Sequence, residues 1–183
     1  MKTSNTNCRR FAWFIRLTLT VVLLGSSASQ TFAATHTWQG AGTDDNWSTP
    51  ENWDLGALTF DADVIFGDTD PTGTSGPSGT PNNIIAAEQV IQSLTYKNLT
   101  GFHTTQIPLG TNLTISGAVS PGVFVGTGAD NGSSQTVYAT VVGGGTLVIS
   151  NSTGVINVRQ GSPTSGPHRA TLDLSGLDTF NCV

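Results

Sequence analysis

Basic residues, cysteines and long apolar runs are all scarce in this chain. Only 7 Lys or Arg occur in 183 residues, and four of them (Lys2, Arg9, Arg10 and Arg16) precede residue 34. All 12 acidic residues come later, so residues 34–183 set three basic against twelve acidic side chains, a net charge of −9. A surface this acidic repels phosphate backbones and anionic lipid, which argues against a nucleic-acid partner. The two cysteines, Cys8 and Cys182, leave no room for a disulfide framework or a multi-cysteine metal site. Beyond residue 33 no stretch is apolar enough to supply the ~20 residues a membrane-spanning helix needs. Charged residues make up only 10%, while 22 glycines lie among abundant Thr, Ser, Asn and Val. That composition favours short strands and tight turns over helices. Short apolar runs recur and charge density is modest, which argues against a disordered chain.

Residues 1–33 read as a secretory signal peptide. Arg9 and Arg10 supply the charged segment, and Leu17 to Leu24 the short apolar one. Thr31 and Ala33 place small residues at the positions that precede cleavage before Ala34. Cys8 stands before the apolar segment and leaves with the leader, so Cys182 is the single cysteine of the mature chain. The expected location is secreted or at the cell surface, extracellular or on the outer membrane of a bacterium. The chain stops at Val183 directly after a strand-like run, so it is expected to be truncated.

The remainder divides in two. Residues 34–82 form a Trp-rich block followed by a Gly/Pro/Ser/Thr loop over 68–81 without periodicity. From 83 to 183 short strand-like runs follow one another, including 90–96, 112–116, 123–125, 136–142, 146–150, 155–158 and 171–175. The pattern Leu-x-Ile/Leu-Ser recurs at Leu113, Leu147 and Leu172, with a weaker relative at Leu94. A short strand set recurring between loops of unequal length predicts an all-β solenoid, a parallel β-helix whose inward Leu, Ile and Val stack from coil to coil. An antiparallel β-sandwich is the alternative, since its strands have similar spacing. Gly143-Gly144-Gly145 offers the backbone freedom for a corner. The Trp-rich block is the expected N-terminal cap, because an open solenoid end invites edge pairing.

The opening, Thr37-Trp38-Gln-Gly-Ala-Gly-Thr-Asp-Asp-Asn46-Trp47-Ser48-Thr49-Pro-Glu-Asn52-Trp53, resembles the start of large secreted bacterial proteins with autotransporter-associated β-strand repeats. Runs similar to Asp63-Val-Ile-Phe-Gly67 and Ile91-Gln-Ser-Leu-Thr-Tyr96 follow it in that family, and the resemblance covers most of 35–180. It implies a right-handed parallel β-helix, export and a passenger-like role at the cell surface. It transfers no catalytic residue.

Candidate sites are few. Trp38, Trp47 and Trp53 could stack on sugar rings, or could seal the first coil of the solenoid. Asp61, Asp63, Asp68 and Asp70 crowd within ten residues, an oxygen-rich stretch of the kind that can hold calcium. Their spacing matches neither an EF-hand loop nor a glycine-rich nonapeptide calcium repeat, and solvated acidic turns are the plainer reading. Besides His36, the basic candidates are Lys97, His103, Arg159, His168 and Arg169; Asp173 and Asp178 lie near His168 and Arg169 in sequence, but nothing sets a catalytic spacing. No nucleophile elbow, phosphate loop or zinc motif is present. The sequence therefore predicts no cofactor and no catalysis. The expected role is a structural or adhesive module that meets extracellular polysaccharide or other cell-surface components. A polysaccharide-binding module and a polysaccharide-degrading β-helix enzyme are the alternatives.

Overall fold

The structure is a computed structural model that describes residues 33–69, 80–117, 121–127, 135–151, 154–161 and 168–183. The leader, apart from Ala33, and most of the 68–81 loop lie outside the described residues. The described chain is all-β. Its strands are β1 (Thr35–Thr37), β2 (Asp63–Phe66), β3 (Asn83–Ile84), β4 (Gln89–Ile91), β5 (Ser93–Tyr96) and β6 (His103–Gln106). They continue as β7 (Asn112–Ile115), β8 (Val123–Val125), β9 (Gln135–Ile149), β10 (Ile156–Val158), β11 (His168–Asp173) and β12 (Leu177–Cys182). One 3-10 turn, Pro50–Asn52, is the sole helical element among the described residues. No described helix is long and apolar enough to cross a membrane.

Every ladder between these strands is parallel. A five-stranded sheet runs β1-β2-β5-β8-β10, and a seven-stranded sheet runs β3-β6-β9-β7-β4 with β11 and β12 also paired to β9. The 15-residue β9 explains how one strand serves so many partners. Its first half pairs with β6 and β11, its second half with β7 and β12. Between the halves lies Gly143-Gly144-Gly145. Gly143 has φ +115°, and a Cβ there would collide with the Ile107 carbonyl oxygen. A Cβ on Gly145 would lie 2.5 Å from the carbonyl oxygens of Pro108 and Thr111. Only glycine lets the two backbones approach so closely while the strand bends. The seven-stranded sheet is thereby strongly curled into two arms.

From β2 onward the chain visits the five-stranded sheet, then the first arm, then the second, and repeats that order. Parallel, in-register pairing stacks like positions on the same face. Val64, Leu94 and Val123 form one buried column, and Phe66, Tyr96 and Val125 a second. Ile91, Ile115 and Ile149 form another on the second arm. The Leu-x-Ile/Leu-Ser runs are not all equivalent in this arrangement. Leu113 does lie opposite Leu147, but Leu94 belongs to the five-stranded sheet and Leu172 to the first arm, opposite Ala139. The run 90–96 is two strands, β4 and β5, with Gln92 between them as the passage from one sheet to the other.

The Trp-rich block covers the free edge of β1. Asp54 N–H donates to the Thr37 carbonyl at 3.0 Å, and Gln39 N–H to that of Asn52 at 2.8 Å. Thr37 N–H donates to the Asp54 carboxylate at 2.8 Å, and Trp38 and Trp53 form an antiparallel bridge. The segment after the 3-10 turn thus satisfies backbone groups that an edge strand would leave open.

Candidate functional site

The three tryptophans are buried, at 0%, 2% and 3% exposure for Trp38, Trp47 and Trp53. Trp53 meets Trp38 and Trp47 edge-on, with ring centroids 5.1 and 5.4 Å apart. Phe66 lies within 6.1 Å of all three. Their polar edges are committed as well: Trp53 Nε1 donates to the Trp47 carbonyl at 2.8 Å, and Trp47 Nε1 to Asn83 Oδ1 at 3.0 Å. These rings pack against one another and against Phe66, and present no open face on which a sugar could stack.

The polar residues of the opening hold this aromatic cluster in place. Asn52, fully buried, accepts from Gly42 N–H at 2.8 Å and donates to the carbonyls of Asp44 and Asn46 at 2.8 and 2.9 Å. A Cβ on Gly42 would lie 2.6 Å from Asn52 Oδ1, which is why the loop needs glycine there. Asp44 accepts from the Thr49 hydroxyl at 2.6 Å and from Asn46 N–H at 3.0 Å. The Thr49 hydroxyl first, and then the Asn46 amide, hold its carboxyl below the usual carboxylate range.

The acidic residues named from sequence are employed one by one. Asp61, a non-glycine residue at φ 58°, accepts from the Ser116 hydroxyl at 2.9 Å. Asp63 accepts from the Ser93 hydroxyl at 2.5 Å. Asp68 accepts from Leu99 and Thr100 N–H and from the Thr100 hydroxyl. Asp70 lies outside the described residues. Among the described residues no group of three or more His, Cys, Asp or Glu is placed to hold a metal ion.

His103 is buried inside the first arm. Its Nε2 donates to the Gly67 carbonyl at 2.8 Å, which leaves Nδ1 to accept from Asn82 Nδ2 at 3.2 Å. Desolvation pushes its pKa down to about 4, against the Gly67 carbonyl and the charge of Asp68, which pull upward. This histidine is a neutral hydrogen-bonding element. Tyr96 is likewise buried, hydrogen-bonded to the Thr105 hydroxyl at 2.6 Å, and burial raises its pKa well above the ordinary phenol value. Asp173 is occupied locally by Ser175 N–H at 2.8 Å.

The outer face of the five-stranded sheet carries an open groove of about 440 Å³ lined by Thr35, Asp63, Ile65, Ser93, Thr95, Pro121 and Phe124. Strand alternation puts all of these but Pro121, which precedes β8, outside, while Val64, Phe66, Leu94 and Tyr96 point inward. Register aligns them into two columns. Thr35, Asp63 and Ser93 stack as an oxygen-bearing column, and Ile65, Thr95 and Phe124 as a more apolar one beside it. Of these residues the sequence singled out only Asp63, and for calcium. The alternation of Asp63-Val-Ile-Phe66 and Ser93-Leu-Thr-Tyr96 marks the outward positions, but only the register shows that they stack. Comparisons with protein-family models, with curated proteins and with solved structures give no match.

Proposed function

We propose that this chain is an exported, non-catalytic structural or adhesive module. Its body is a right-handed parallel β-helix, as the resemblance of its opening to secreted bacterial proteins with autotransporter-associated repeats implies, and the Trp-rich cap seals the first coil. The observation that carries this reading is the recurring passage from the five-stranded sheet to the two arms, each visit joined to the last by in-register parallel ladders. Parallel pairing on every ladder supports a wound coil over an antiparallel sandwich. Such a stack rises ~4.8 Å per coil and each coil rests on its neighbours, an architecture suited to a structural or adhesive passenger. The hydrogen bonds of its polar groups support the non-catalytic reading, since Asp44, Asp61, Asp68, His103 and Asn52 are each occupied in holding backbone or side chains.

The test is expression of residues 1–183 in a Gram-negative host. The expected product begins at Ala34. Its exposed Cys182 thiol should react with a membrane-impermeant maleimide in intact cells or in the medium. A product that retains Met1 and is labelled only after lysis would refute export. A crystal structure with two facing antiparallel sheets would refute the β-helix.

A further inference from the structure

We propose that the outer face of the five-stranded sheet is a binding groove for a neutral polysaccharide. Phe124 is the stacking platform, and Asp63 with Ser93 is the pair that receives sugar hydroxyls. The site takes its geometry from the observed register and does not depend on export, so a failure of surface display would leave it standing.

A sugar ring offers two chemistries at once, an apolar C–H face and an edge of hydroxyls. The groove offers the complement of both. Phe124, Ile65 and Pro121 are half-buried apolar side chains, fixed by the sheet beneath them and still open on one side. Beside them Thr35, Asp63, Ser93 and Thr95 present hydroxyl and carboxylate oxygens. The Ser93 hydroxyl donates to Asp63 Oδ1, which fixes the serine and leaves its oxygen to accept a hydroxyl proton. Among the described residues no donor meets the other carboxylate oxygen of Asp63. It is a charged acceptor in a half-buried setting, and hydrogen bonds to charged groups are the stronger class. Apart from Pro121, which precedes β8, these groups sit on strands, and sites on strands hold their geometry better than sites on loops.

Dimension and charge narrow the ligand. Adjacent rungs of the sheet are ~4.8 Å apart, comparable with the length of one pyranose unit in a linear polymer. A chain lying across the strands therefore meets like positions at each rung: Asp63 then Ser93 in one column, Ile65 then Thr95 then Phe124 in the other. The net charge of −9 over residues 34–183, with Asp63 in the groove itself, repels uronate and sulfated polymers. A neutral hexose or pentose polymer is the class that fits.

The experiment is affinity electrophoresis of the 183-residue protein in native gels containing a neutral β-glucan, galactomannan or xylan, or polygalacturonate. Retardation is expected in at least one neutral gel and not in polygalacturonate. Phe124→Ala and Asp63→Asn should each weaken it by about tenfold. Both residues face outward, so the melting midpoint should stay close to that of the parent. Thr114→Ala, on the outer face of the second arm, is the control and should bind as the parent does. The proposal is overturned by mobility unchanged in every neutral gel, by Phe124→Ala binding as the parent does, or by equal weakening in Thr114→Ala.

Discussion

Phe66 is the residue on which the joint between the Trp-rich block and the parallel sheets turns, and its truncation gives the sharpest test of the packing. The ring is fully buried and touches five others. It stacks on Tyr96 at 5.1 Å with planes 15° apart, and lies 4.9 Å from the His103 ring and 5.7 Å from both Trp38 and Trp47. Burying a phenylalanine side chain is worth about 1.5–3 kcal/mol by transfer. Each favourable ring pair adds about 0.5–1.5 kcal/mol, and the void left behind adds a cavity cost. Phe66→Ala should therefore cost about 3–5 kcal/mol, while Phe66→Leu, which keeps most of the volume, should cost less than half of that. Urea unfolding followed by tryptophan emission is the assay, because Trp38, Trp47 and Trp53 all border the site. A domain of this size has only about 5–15 kcal/mol in reserve, so the shift in midpoint is large. A loss below about 1 kcal/mol in Phe66→Ala would refute the stacked aromatic column.

Other consequences follow from particular contacts. His103 stays neutral when folded down to about pH 4 but titrates near 6.5 when unfolded, so the unfolded chain binds the extra proton between these values. Stability should be complete above about pH 6.5 and fall by up to about 3 kcal/mol as the pH drops to about 4, and His103→Gln should flatten that part of the urea-midpoint profile. Gly143→Ala forces a side chain into φ +115° against the Ile107 carbonyl and should lower stability by at least about 2 kcal/mol, measured by thermal melting. Asn83→Leu strips Trp47 Nε1 of its buried acceptor and should cost about 1–3 kcal/mol in urea unfolding, whereas Asn83→Asp, which keeps an acceptor oxygen, should retain more of the Trp47 contact as judged by its emission maximum.

How much of this was legible in the sequence depends on what each strand buries. Strands with one apolar face, such as Asn112–Ile115 and Ser93–Tyr96, announce themselves by alternation. The corner at Gly143–Gly145 was readable too, because glycine runs have few other uses in a strand. β6 was not readable: His103, Thr104 and Thr105 are all fully buried, yet none is apolar. For two of them hydrogen bonds take the place of apolar contact, from His103 to Gly67 and Asn82 and from Thr105 to Tyr96, whereas the Thr104 hydroxyl is buried without a partner. Those partners lie 9 to 36 residues away, beyond the reach of any local pattern. The groove was hidden for a related reason. Asp63, Ser93 and Phe124 stand on three different strands, and only the register brings them to one surface. The same register separates Leu94 and Leu172 from Leu113 and Leu147, which the shared Leu-x-Ile/Leu-Ser pattern had grouped.

The opening segment shows why an all-parallel stack needs so specific a start. A parallel sheet cannot finish itself with a hairpin, so its first strand exposes a row of unpaired N–H and C=O groups. Here the chain turns back through Pro50–Asn52 and lays residues 52–54 along β1, and donors and acceptors on both sides are met. That return path crosses the end of the apolar column, where aliphatic side chains would leave gaps. Trp38, Trp47 and Trp53 close it because large planar rings meeting edge to face fill an irregular end, and the indole N–H groups of Trp53 and Trp47 find the Trp47 carbonyl and Asn83 as acceptors. Asp44, Thr49 and Asn52 then fix the loop that carries the rings, Asp44 and Asn52 by answering backbone groups within ten residues and Thr49 by donating to the Asp44 carboxylate. The spacing of Trp, Gly, Asp, Asn and Thr in this opening is thus a specification for one turn. Most of its positions have a geometric reason that is independent of any ligand.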